Sequence, residues 1–467
     1  NSNMIGLINM REDHPLQEIN DTRPLSTLPI GGKYRLIDFT LSNMVNAGIE
    51  NVGLLLSSQS RSVLDHIRSG KEWGLAHKGD GLFYLPEERA DIEHPVEGIA
   101  AYYKNLVFVK RANKRYALLS GCDMVQNIDY DEVSISTAIK ADVTLIYQQQ
   151  KYDFDREGYI LTIDDVCKDR VLSIEAKPEV KAGDNLYQRG ILIDCDVFQH
   201  CIRRAYAQGY NHFITDVLQR NVDRLRIFGY NYQGYAKRID SVHSYFQVNM
   251  DLRDSRIWHE LLLKDKDHRI YTKIKDEAPA KYMEESHVTN SLVANGCIIE
   301  GRVENSILFR RVKVGKNAVI RNSIIMHIGR RDDAQLDYVV CDKNTIIQPE
   351  ARIRVASPTT TRCAIGKRFS PLNATTKGLE KYEKWQDKEE FKKLFTEKAH
   401  ILWEKDLRDM TLNEVYQTIA YMIRDLVSED WIRTNEIYAE QKVKQVYYFS
   451  IRISHRPPFG IESPGID

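Results

Sequence analysis

Between residues 286 and 330 the aliphatic side chains recur every five to six residues, and no other feature constrains the fold of this chain as much. They lie at Val293, Ile298, Val303, Leu308, Val314, Ile320 and Ile325, with Asn, Gly and Ser between them. A helix repeats its apolar face about every 3.6 residues and a strand every two, so neither fits. Short strands stacked in a hexapeptide β-helix do fit, because each contributes one inward aliphatic side chain. Ordinary hairpins with Asn and Gly turns are the alternative, and the pattern favours a β-helix over residues 286–370.

The first 250 residues alternate short apolar runs with helical patterns. The runs "NMIGLINM", "NVGLLLSS", "RYALLSG", "VTLIYQQ" and "YILTIDD" are rich in Ile, Val, Leu and Tyr, which is typical of strands. Between them, "DFTLSNMVNAG" and "SRSVLDHIRSG" are typical of helices, the second with a stop signal at Gly70. The alternation predicts an α/β domain over residues 1–250, Rossmann-like, with a mostly parallel sheet covered by helices on both faces.

Composition divides the remainder into further segments. Residues 251–285 are charged and helix-prone, which predicts a helical connector. Residues 380–451 are rich in Lys, Glu and aromatic residues and carry apolar side chains at helical spacing, which predicts a short helical extension. Residues 452–467 are rich in proline and glycine, and we expect them to be disordered.

Charge and cysteine content exclude several classes of function. The 66 basic residues balance the 66 acidic residues of this 467-residue chain, so no net field favours nucleic acid or an anionic membrane. No apolar run approaches the roughly 20 residues of a membrane span. The seven cysteines are odd in number and form no C-x-x-C pair, which argues against a disulfide framework. We therefore expect a cytoplasmic protein.

The segment "LPIGGKYRLIDF" combines flexible backbone with positive charge. Gly31 and Gly32 permit a close backbone approach, and Lys33 and Arg35 place cations beside them. This combination suits a phosphorylated ligand. A tight turn with two exposed cations is the alternative.

Longer motifs resemble a known family. "PIGGKYRLIDFTLSNMVNAGI", "SGKEWGLAHKGDGLFYLPEE", "SGCDMVQNIDY" and "GYAKRIDSVHSYFQVNMDL" are similar, in this order, to glucose-1-phosphate adenylyltransferases, also called ADP-glucose pyrophosphorylases. The resemblance covers about residues 4–370. It implies a nucleotidyltransferase domain, a left-handed β-helix and a tetramer. It also implies chemistry in which glucose 1-phosphate attacks the α-phosphorus of ATP, helped by Mg²⁺ on carboxylates and by Lys or Arg.

Against this family the phosphate loop is degenerate. Where the family has Leu-Ala-Gly-Gly-Arg-Gly-Thr-Arg-Leu, this chain has "INMREDHPL", which lacks the glycines and adds acidic residues that repel a triphosphate. A family lysine falls on Leu25, a sugar-phosphate lysine falls on Thr215, and a metal aspartate falls on Arg238. The positions expected to be degenerate are Met10, Arg11, Asp13, Pro15, Leu25, Thr215 and Arg238.

Other family positions are retained. Asp123 matches a metal aspartate if Cys122 replaces a glycine, but with Arg238 opposite we expect Mg²⁺ to bind poorly. Asp240 could replace the missing ligand only through a register shift. Lys177 and Gly190 match sugar-phosphate residues, so the possibly vestigial ligand-binding set is Gly31, Gly32, Lys33, Arg35, Lys177 and Gly190, with Lys33 and Arg35 candidates for a separate effector site.

Intact scaffold motifs beside degraded chemical ones resemble the D-type, non-catalytic subunit of bacterial ADP-glucose pyrophosphorylase. The resemblance implies a heterotetramer with a catalytic paralogue and an effector that is a sugar phosphate or nucleotide. The alternative is an active glucose-1-phosphate adenylyltransferase with an atypical phosphate loop. A transferase for another sugar fits less well, because "GGKYRLIDFTLSN" is so close to the glucose enzyme.

Residues 387–451 resemble something else, the N-terminus of bacterial glycogen phosphorylase. The likeness ends near "KQVYYFS", and the phosphorylase's cofactor lysine is absent, so we expect no pyridoxal phosphate and no phosphorolysis. A fusion of two glycogen-metabolism genes and a dedicated helical interaction module both remain open.

Overall fold

The computed structural model forms two compact units, Asn1–Ser370 and Pro371–Asp467. The structure describes residues 3–10, 16, 23–56, 60–77, 79–85, 98–137, 141–154, 156–167, 169–326, 332–342, 346–347, 352–354, 362–364 and 368–369, with isolated residues between 392 and 422. Arg11, Asp13 and Pro15 of the phosphate-loop prediction, and the predicted disordered tail, lie outside these residues.

A nine-stranded sheet forms the centre of the first domain. Its strands are β1 Met4–Asn9, β4 Asn51–Leu55, β5 Gly81–Leu85, β6 Tyr116–Gly121, β8 Val143–Gln149, β9 Gly158–Ile163, β10 Val171–Lys177, β11 Asn185–Asp194 and β12 Ile227–Asn231. Strands β5, β4, β1 and β6 lie parallel in that order, and β12 is parallel to β8. Strand β11 runs antiparallel to both β6 and β8 and joins the two parallel parts.

Helices and small ribbons complete this domain. The helices are α1 Leu36–Asn46, α2 Arg61–Ile67, α3 Ile99–Lys104, α4 Leu106–Ala112, α5 Tyr130–Thr137, α6 Cys195–Ala207, α7 Val242–Asp251 and α8 Ser255–Leu262. The ribbons pair β2 Pro29–Ile30 with β3 Tyr34–Arg35, and β7 Met124–Gln126 with β13 Ala236–Arg238. Separate apolar clusters lie against the sheet, as expected for the predicted α/β domain covered on both faces.

A parallel β-helix follows. Its strands are β14 Lys281–Tyr282, β15 His287–Thr289, β16 Leu292–Val293, β17 Ile298–Ile299, β18 Arg302–Glu304, β19 Ile307–Leu308, β20 Lys313–Val314, β21 Val319–Arg321, β22 Ile324–Ile325, β23 Gln335–Asp337, β24 Val339–Cys341, β25 Ile346–Ile347, β26 Arg352–Arg354, β27 Arg362–Ala364 and β28 Arg368–Phe369. The first strand begins five residues before the expected start at 286. In the expected connector, helix α8 ends at Leu262 and residues 263–280 have no regular structure.

The repeat seen in the sequence is the inward stack of this β-helix. Val288, Val303, Ile320 and Leu336 occupy matching positions of successive coils. One position differs from the prediction, because Ile299 is fully buried while Ile298 faces outward and is half-buried. Adjacent side chains of a strand point to opposite faces, so the spacing in the sequence could not decide which of these two residues faces inward.

The β-helix and the α/β domain share a core. Leu28, Phe39 and Tyr245 belong to the same buried cluster as Ile307 and Phe309 of the β-helix. Burial of this cluster fixes the two parts of the first unit against each other, because removing apolar surface from water is the main stabilising effect in folding.

In the second unit, Phe395, Ala399 and Met422 form a small buried cluster, with Val415 and Ile419 packed against it. Val415 and Ile419 belong to the helical face expected from the sequence. Among the residues with described positions, none forms a helix long and apolar enough to cross a membrane.

Candidate functional site

At the carboxyl end of β1 the Met10 side chain is buried. Met10 is 1% exposed, and its N–H donates to the Leu55 carbonyl at 3.0 Å. That donor is therefore not directed at a phosphate. Leu25 is likewise buried, in the cluster of Leu28 and Leu36, so the position predicted to replace the family's lysine lies in an apolar core.

Asp123 is held by two arginines. Arg238 Nε lies 2.8 Å and Arg189 Nε 3.0 Å from the same carboxylate oxygen, Oδ2. Strand pairing places Arg238 there, because β13 runs antiparallel to β7 with Arg238 beside Met124. The Asp123 carbonyl also accepts the Ile239 N–H at 2.7 Å, which fixes the two segments together. Arg238, predicted to stand where the family has an aspartate, thus forms a salt bridge with Asp123, the predicted metal ligand.

Arg189 was missed in the sequence, although it immediately precedes Gly190. It lies in the irregular part of β11, between Tyr187 and Ile191, with a φ of 59°. A positive φ is unfavourable for a large side chain. Arg189 thus forms its salt bridge with Asp123 from a backbone conformation of positive φ. The sequence motif around Gly190 gives no sign of this contact.

Asp123 is more deeply buried than either arginine that contacts it. The Asp123 side chain is only 7% exposed, whereas those of Arg189 and Arg238 are 25% and 21% exposed. Burial alone would raise the pKa of the Asp123 carboxyl, but the charges of Arg189 and Arg238 outweigh burial and hold that pKa below its ordinary value. The second carboxylate oxygen, Oδ1, is buried and has no hydrogen-bond partner among the described residues.

These residues do not suit a divalent cation. Mg²⁺ requires carboxylate and water oxygens in octahedral geometry. Here the carboxylate is already shared by two guanidinium groups whose Nε atoms lie within about 6 Å of each other. Asp240, the alternative ligand, instead pairs with Arg156 at 3.2 Å. Within the described part of the chain, no three His, Cys, Asp or Glu side chains are grouped as metal ligands.

The residues predicted to match sugar-phosphate positions of the family take part in local structure. Lys177 Nζ forms an ion pair with Asp184 at 3.1 Å. Gly190 pairs with Ser120, and a Cβ there would lie 2.6 Å from Ile146 Cδ1, so a larger residue would displace the Ile146 side chain. Thr215 lies half-buried in a π-helical turn, Phe213–Leu218.

The turn through Gly31 and Gly32 packs against other protein segments. Both residues have positive φ, at 58° and 81°. The Gly31 N–H donates to Asn249 Oδ1 at 2.9 Å, and a Cβ on Gly32 would lie 3.6 Å from the Ala294 Cβ. Lys33 is exposed at this turn. The two glycines therefore allow the turn to contact α7 and the β-helix.

A second basic group, the Arg35 cluster, lies where the α/β domain meets the β-helix. It comprises Arg35, Lys273, Lys275 and Arg310. Burial and the charges of Arg310, Arg35 and Lys273 lower the pKa of Lys275. Burial likewise lowers the pKa of Arg35, against the opposing charge of Asp38, and the nearby Arg23 and Arg310 add to the lowering. Mutual repulsion of this kind is relieved by an anion.

The carboxylates next to the Arg35 cluster act on its cations and also contact other groups. Asp38 is fully buried and contacts His66 Nε2 at 2.6 Å, while Glu277 accepts from Arg311 at 2.8 Å. Sequence reasoning found Arg35 but missed Lys273, Lys275 and Arg310. The two lysines lie in "IYTKIKDEAPAKY", a segment in the family's order, so a signal for them was present.

Two family models match the chain. A nucleotidyl transferase model matches residues 16–255, and a GlmU-like C-terminal hexapeptide model matches residues 278–360. Together with the strands described above, these matches confirm the predicted α/β domain followed by a left-handed β-helix.

Curated relatives cover most of the same region. The chain is 36% identical over 324 residues to "Glycogen biosynthesis protein GlgD" of Bacillus subtilis, covering 69% of this chain and 83% of the relative. It is 38% identical over 327 residues to the protein of the same name from Geobacillus stearothermophilus, covering 68% and 83%. It is also 32% identical over 346 residues to "Glucose-1-phosphate adenylyltransferase" of Bacillus cereus strain Q1, covering 70% and 89%. Since the relatives cover more than two thirds of it, this chain belongs to the glucose-1-phosphate adenylyltransferase (ADP-glucose pyrophosphorylase) family, among its D-type glycogen biosynthesis proteins.

Proposed function

We propose that this protein is the regulatory, catalytically degenerate subunit of an ADP-glucose pyrophosphorylase. It pairs with a catalytic paralogue, which makes ADP-glucose and pyrophosphate from ATP and glucose 1-phosphate. The observation that carries the proposal is the salt bridge of Arg189 and Arg238 to Asp123. Where the reaction needs carboxylates for a metal, this chain holds one carboxylate between two cations.

Loss of positioned charge accounts for the expected lack of activity. Removing one group that stabilises charge in a transition state costs on the order of 10²–10³ in rate. In this chain Met10 directs its N–H into the fold, Leu25 is buried in an apolar cluster, and Arg238 replaces a carboxylate. Several such losses together favour a role in which the chain binds ligands and contacts a partner subunit but does not catalyse the reaction.

The Arg35 cluster is the effector site in this proposal. Its cations come from segments that meet at the junction of the two domains, and its neighbouring carboxylates, Asp38 and Glu277, are shared with His66 and Arg311. A phosphate-bearing metabolite, either a sugar phosphate or a nucleotide, has the charge to bridge such groups. A ligand at this junction contacts both domains and can change their relative stability, which is a physical route to modulation.

Activity of mixed subunits tests the proposed function. The purified chain and a catalytic paralogue from the same source are assayed, alone and together, for Mg²⁺-dependent pyrophosphate release. We expect the chain alone to show less than about 1% of the catalytic rate, since at least one charge-stabilising group is lost. The mixture is expected to differ at least about twofold in rate or KM from the catalytic subunit alone, because a regulatory partner couples to its substrate affinity. Robust turnover by the chain alone would instead establish the active adenylyltransferase.

Neutralising the Arg35 cluster is expected to remove effector response. The double variant Arg310→Gln and Lys275→Gln should weaken the response of the mixed enzyme to glucose 6-phosphate or AMP at least about tenfold, because each charge-assisted hydrogen bond contributes about 1.5–3 kcal/mol. The measurement is the ligand concentration that gives half-maximal change in rate. The matched control is Lys281→Gln with Lys313→Gln, which removes the same charge from exposed strands of the β-helix. Equal responses in both double variants would place the effector elsewhere.

A further inference from the structure

Residues 263–280, here called the linker, connect helix α8 to the β-helix and are tied to the α/β domain by side chains. Asn127 Nδ2 donates to the carbonyls of Leu261 and His268, at 2.8 Å each. These hydrogen bonds join amide groups, whose charge does not change with pH. The side chain of His268 adds a contact of a different kind, because imidazole gains and loses a proton near neutral pH.

The imidazole of His268 lies between two carboxylates. Nδ1 lies 2.8 Å from Oδ1 and 2.9 Å from Oδ2 of Asp265, within the linker. Nε2 lies 3.2 Å from Oδ2 of Asp129, which directly precedes helix α5 of the α/β domain. Each ring nitrogen therefore faces a carboxylate oxygen, one in the linker and one in the domain that the linker contacts.

Backbone N–H groups hold both carboxylates in place. Asp129 Oδ1 accepts the Asp131 N–H at 2.9 Å, in the first turn of α5, while Oδ2 faces His268. Asp265 Oδ1 accepts the N–H groups of Asp267 at 2.9 Å and His268 at 2.8 Å. The hydrogen bond from the His268 side chain holds the pKa of Asp265 below its ordinary value, so this carboxylate stays ionised above about pH 5.

A neutral imidazole does not suit both carboxylates. It has one N–H and one lone pair, so the tautomer that donates to Asp265 through Nδ1 turns the lone pair of Nε2 toward Asp129. Two electron-rich atoms then lie 3.2 Å apart. The imidazolium ion has an N–H at both nitrogens and a positive charge, which makes the same contact an ion pair. The contact between the linker and α5 therefore depends on the protonation of one side chain.

We propose that His268 is a pH-sensitive clasp, which ties the linker to the start of α5 while the imidazole carries both protons and weakens when one proton is lost. Histidine is the side chain that ordinarily changes charge between pH 5 and 8. The clasp therefore stabilises the attached linker at acidic pH, and this contribution is lost as pH rises through that range. The inference goes beyond the proposed function, because it needs neither an effector nor a catalytic partner.

Other ionisable groups around the clasp stay neutral, are bound elsewhere or balance in charge. Burial, together with the charges of Glu132 and Asp129, raises the pKa of Tyr230 on β12 to about 12, so this phenol is uncharged near neutral pH. Glu260 of α8 accepts the Tyr235 N–H. The charged side chains that flank His268 and Asp129 in the sequence are three basic and three acidic, namely Lys264, Lys266, Arg269, Asp131, Glu132 and Asp267.

Hydrogen exchange of the purified full chain at about pH 5.5 and about pH 8.5 tests the clasp, with labelling times scaled for the faster intrinsic exchange at the higher pH. We expect the protection of residues 264–272 and 129–133 to fall at least about threefold at the higher pH, as for an ion pair that water partly screens. Residues 298–308 of the β-helix are the internal control and should show no such fall.

Substitutions at the clasp should remove this pH difference in opposite ways. His268→Arg keeps a charge and several N–H donors at every pH, so residues 264–272 should stay protected at both values. His268→Gln carries no charge, so protection should be low at both. Asp129→Asn removes the charge that faces Nε2 but still caps α5, because asparagine caps helices about as well as aspartate, and its pH difference should also disappear.

His287→Gln is the matched control, since it removes an exposed histidine from β15 of the β-helix and should keep the wild-type pH difference. Equal protection of residues 264–272 at the two pH values in the wild type would overturn the proposal, as would protection that rises with pH. A wild-type pH difference that persists in His268→Gln would likewise overturn it, by assigning the effect to another group. The first comparison uses the wild type alone, so it decides the matter even where a variant does not fold.

Discussion

Asp123→Asn is expected to lower the free energy of unfolding by about 3–5 kcal/mol at pH 7. This is the usual cost of removing one partner from a buried ion pair, since the remaining charges stay desolvated. Here the substitution leaves Arg189 and Arg238 within about 6 Å of each other without a carboxylate between them. The measurement is equilibrium unfolding in urea, with the slope checked against the wild type.

Asp254→Asn is the matched control for that substitution. Asp254 caps helix α8 by accepting the Arg256 N–H at 2.9 Å, and asparagine caps helices about as well. Its effect should stay within about 0.5 kcal/mol, as for most surface substitutions. If Asp123→Asn cost no more than this control, the two arginines would not depend on the carboxylate.

Comparison of the wild type with Asp123→Asn also gives a pH dependence of stability with a definite sign. Because the pKa of Asp123 is lowered in the folded state, its contribution is fully present above the ordinary value of about 3.9 and is lost as pH falls through the folded pKa. The difference in unfolding free energy between the wild type and Asp123→Asn should therefore be constant above about pH 5 and shrink below about pH 4. A difference that grew on acidification would contradict this assignment.

The β-helix could be predicted because its sequence period is set by geometry. Each coil repeats the same inward positions, so Val303, Ile320 and Leu336 recur with little dependence on the rest of the molecule. The error at Ile298 is small for the same reason: two adjacent aliphatics satisfy the spacing, and only strand register decides which one faces inward.

The candidate site was less accessible from sequence because its parts come from distant segments. Asp123 and Arg238 could be compared by motif, but their contact depends on the pairing of β7 with β13. Arg189 contacts Asp123 from an irregular stretch of β11, and no residue pattern in the sequence marks that stretch. The Arg35 cluster similarly unites residues 35, 273, 275 and 310, and this needs the packing of the β-helix on the α/β domain.

Arg189 changes what would be required to restore catalysis. Arg238→Asp alone returns a carboxylate, but Arg189 still forms a salt bridge with Asp123. Leu25→Lys has a separate difficulty, because it puts a charge into the apolar cluster around Leu28, where desolvation is costly. Restoration of family residues by motif alone therefore leaves an obstacle that only the structure shows.

When family residues are restored elsewhere in the site, Arg189→Asn is expected to be the further substitution that catalytic activity requires. Asparagine removes the charge and tolerates the left-handed backbone at this position. In a chain that carries the family's glycine loop and Arg238→Asp, this further change should raise Mg²⁺-dependent pyrophosphate release at least about tenfold, toward the 10²–10³ attributed to one charge-stabilising group. The matched comparison is the same background with Arg203→Asn, an exposed arginine on α6. Equal rates would show that Arg189 is not an obstacle, whereas a gain confined to Arg189→Asn would identify the double salt bridge as the reason that this family member cannot hold the metal.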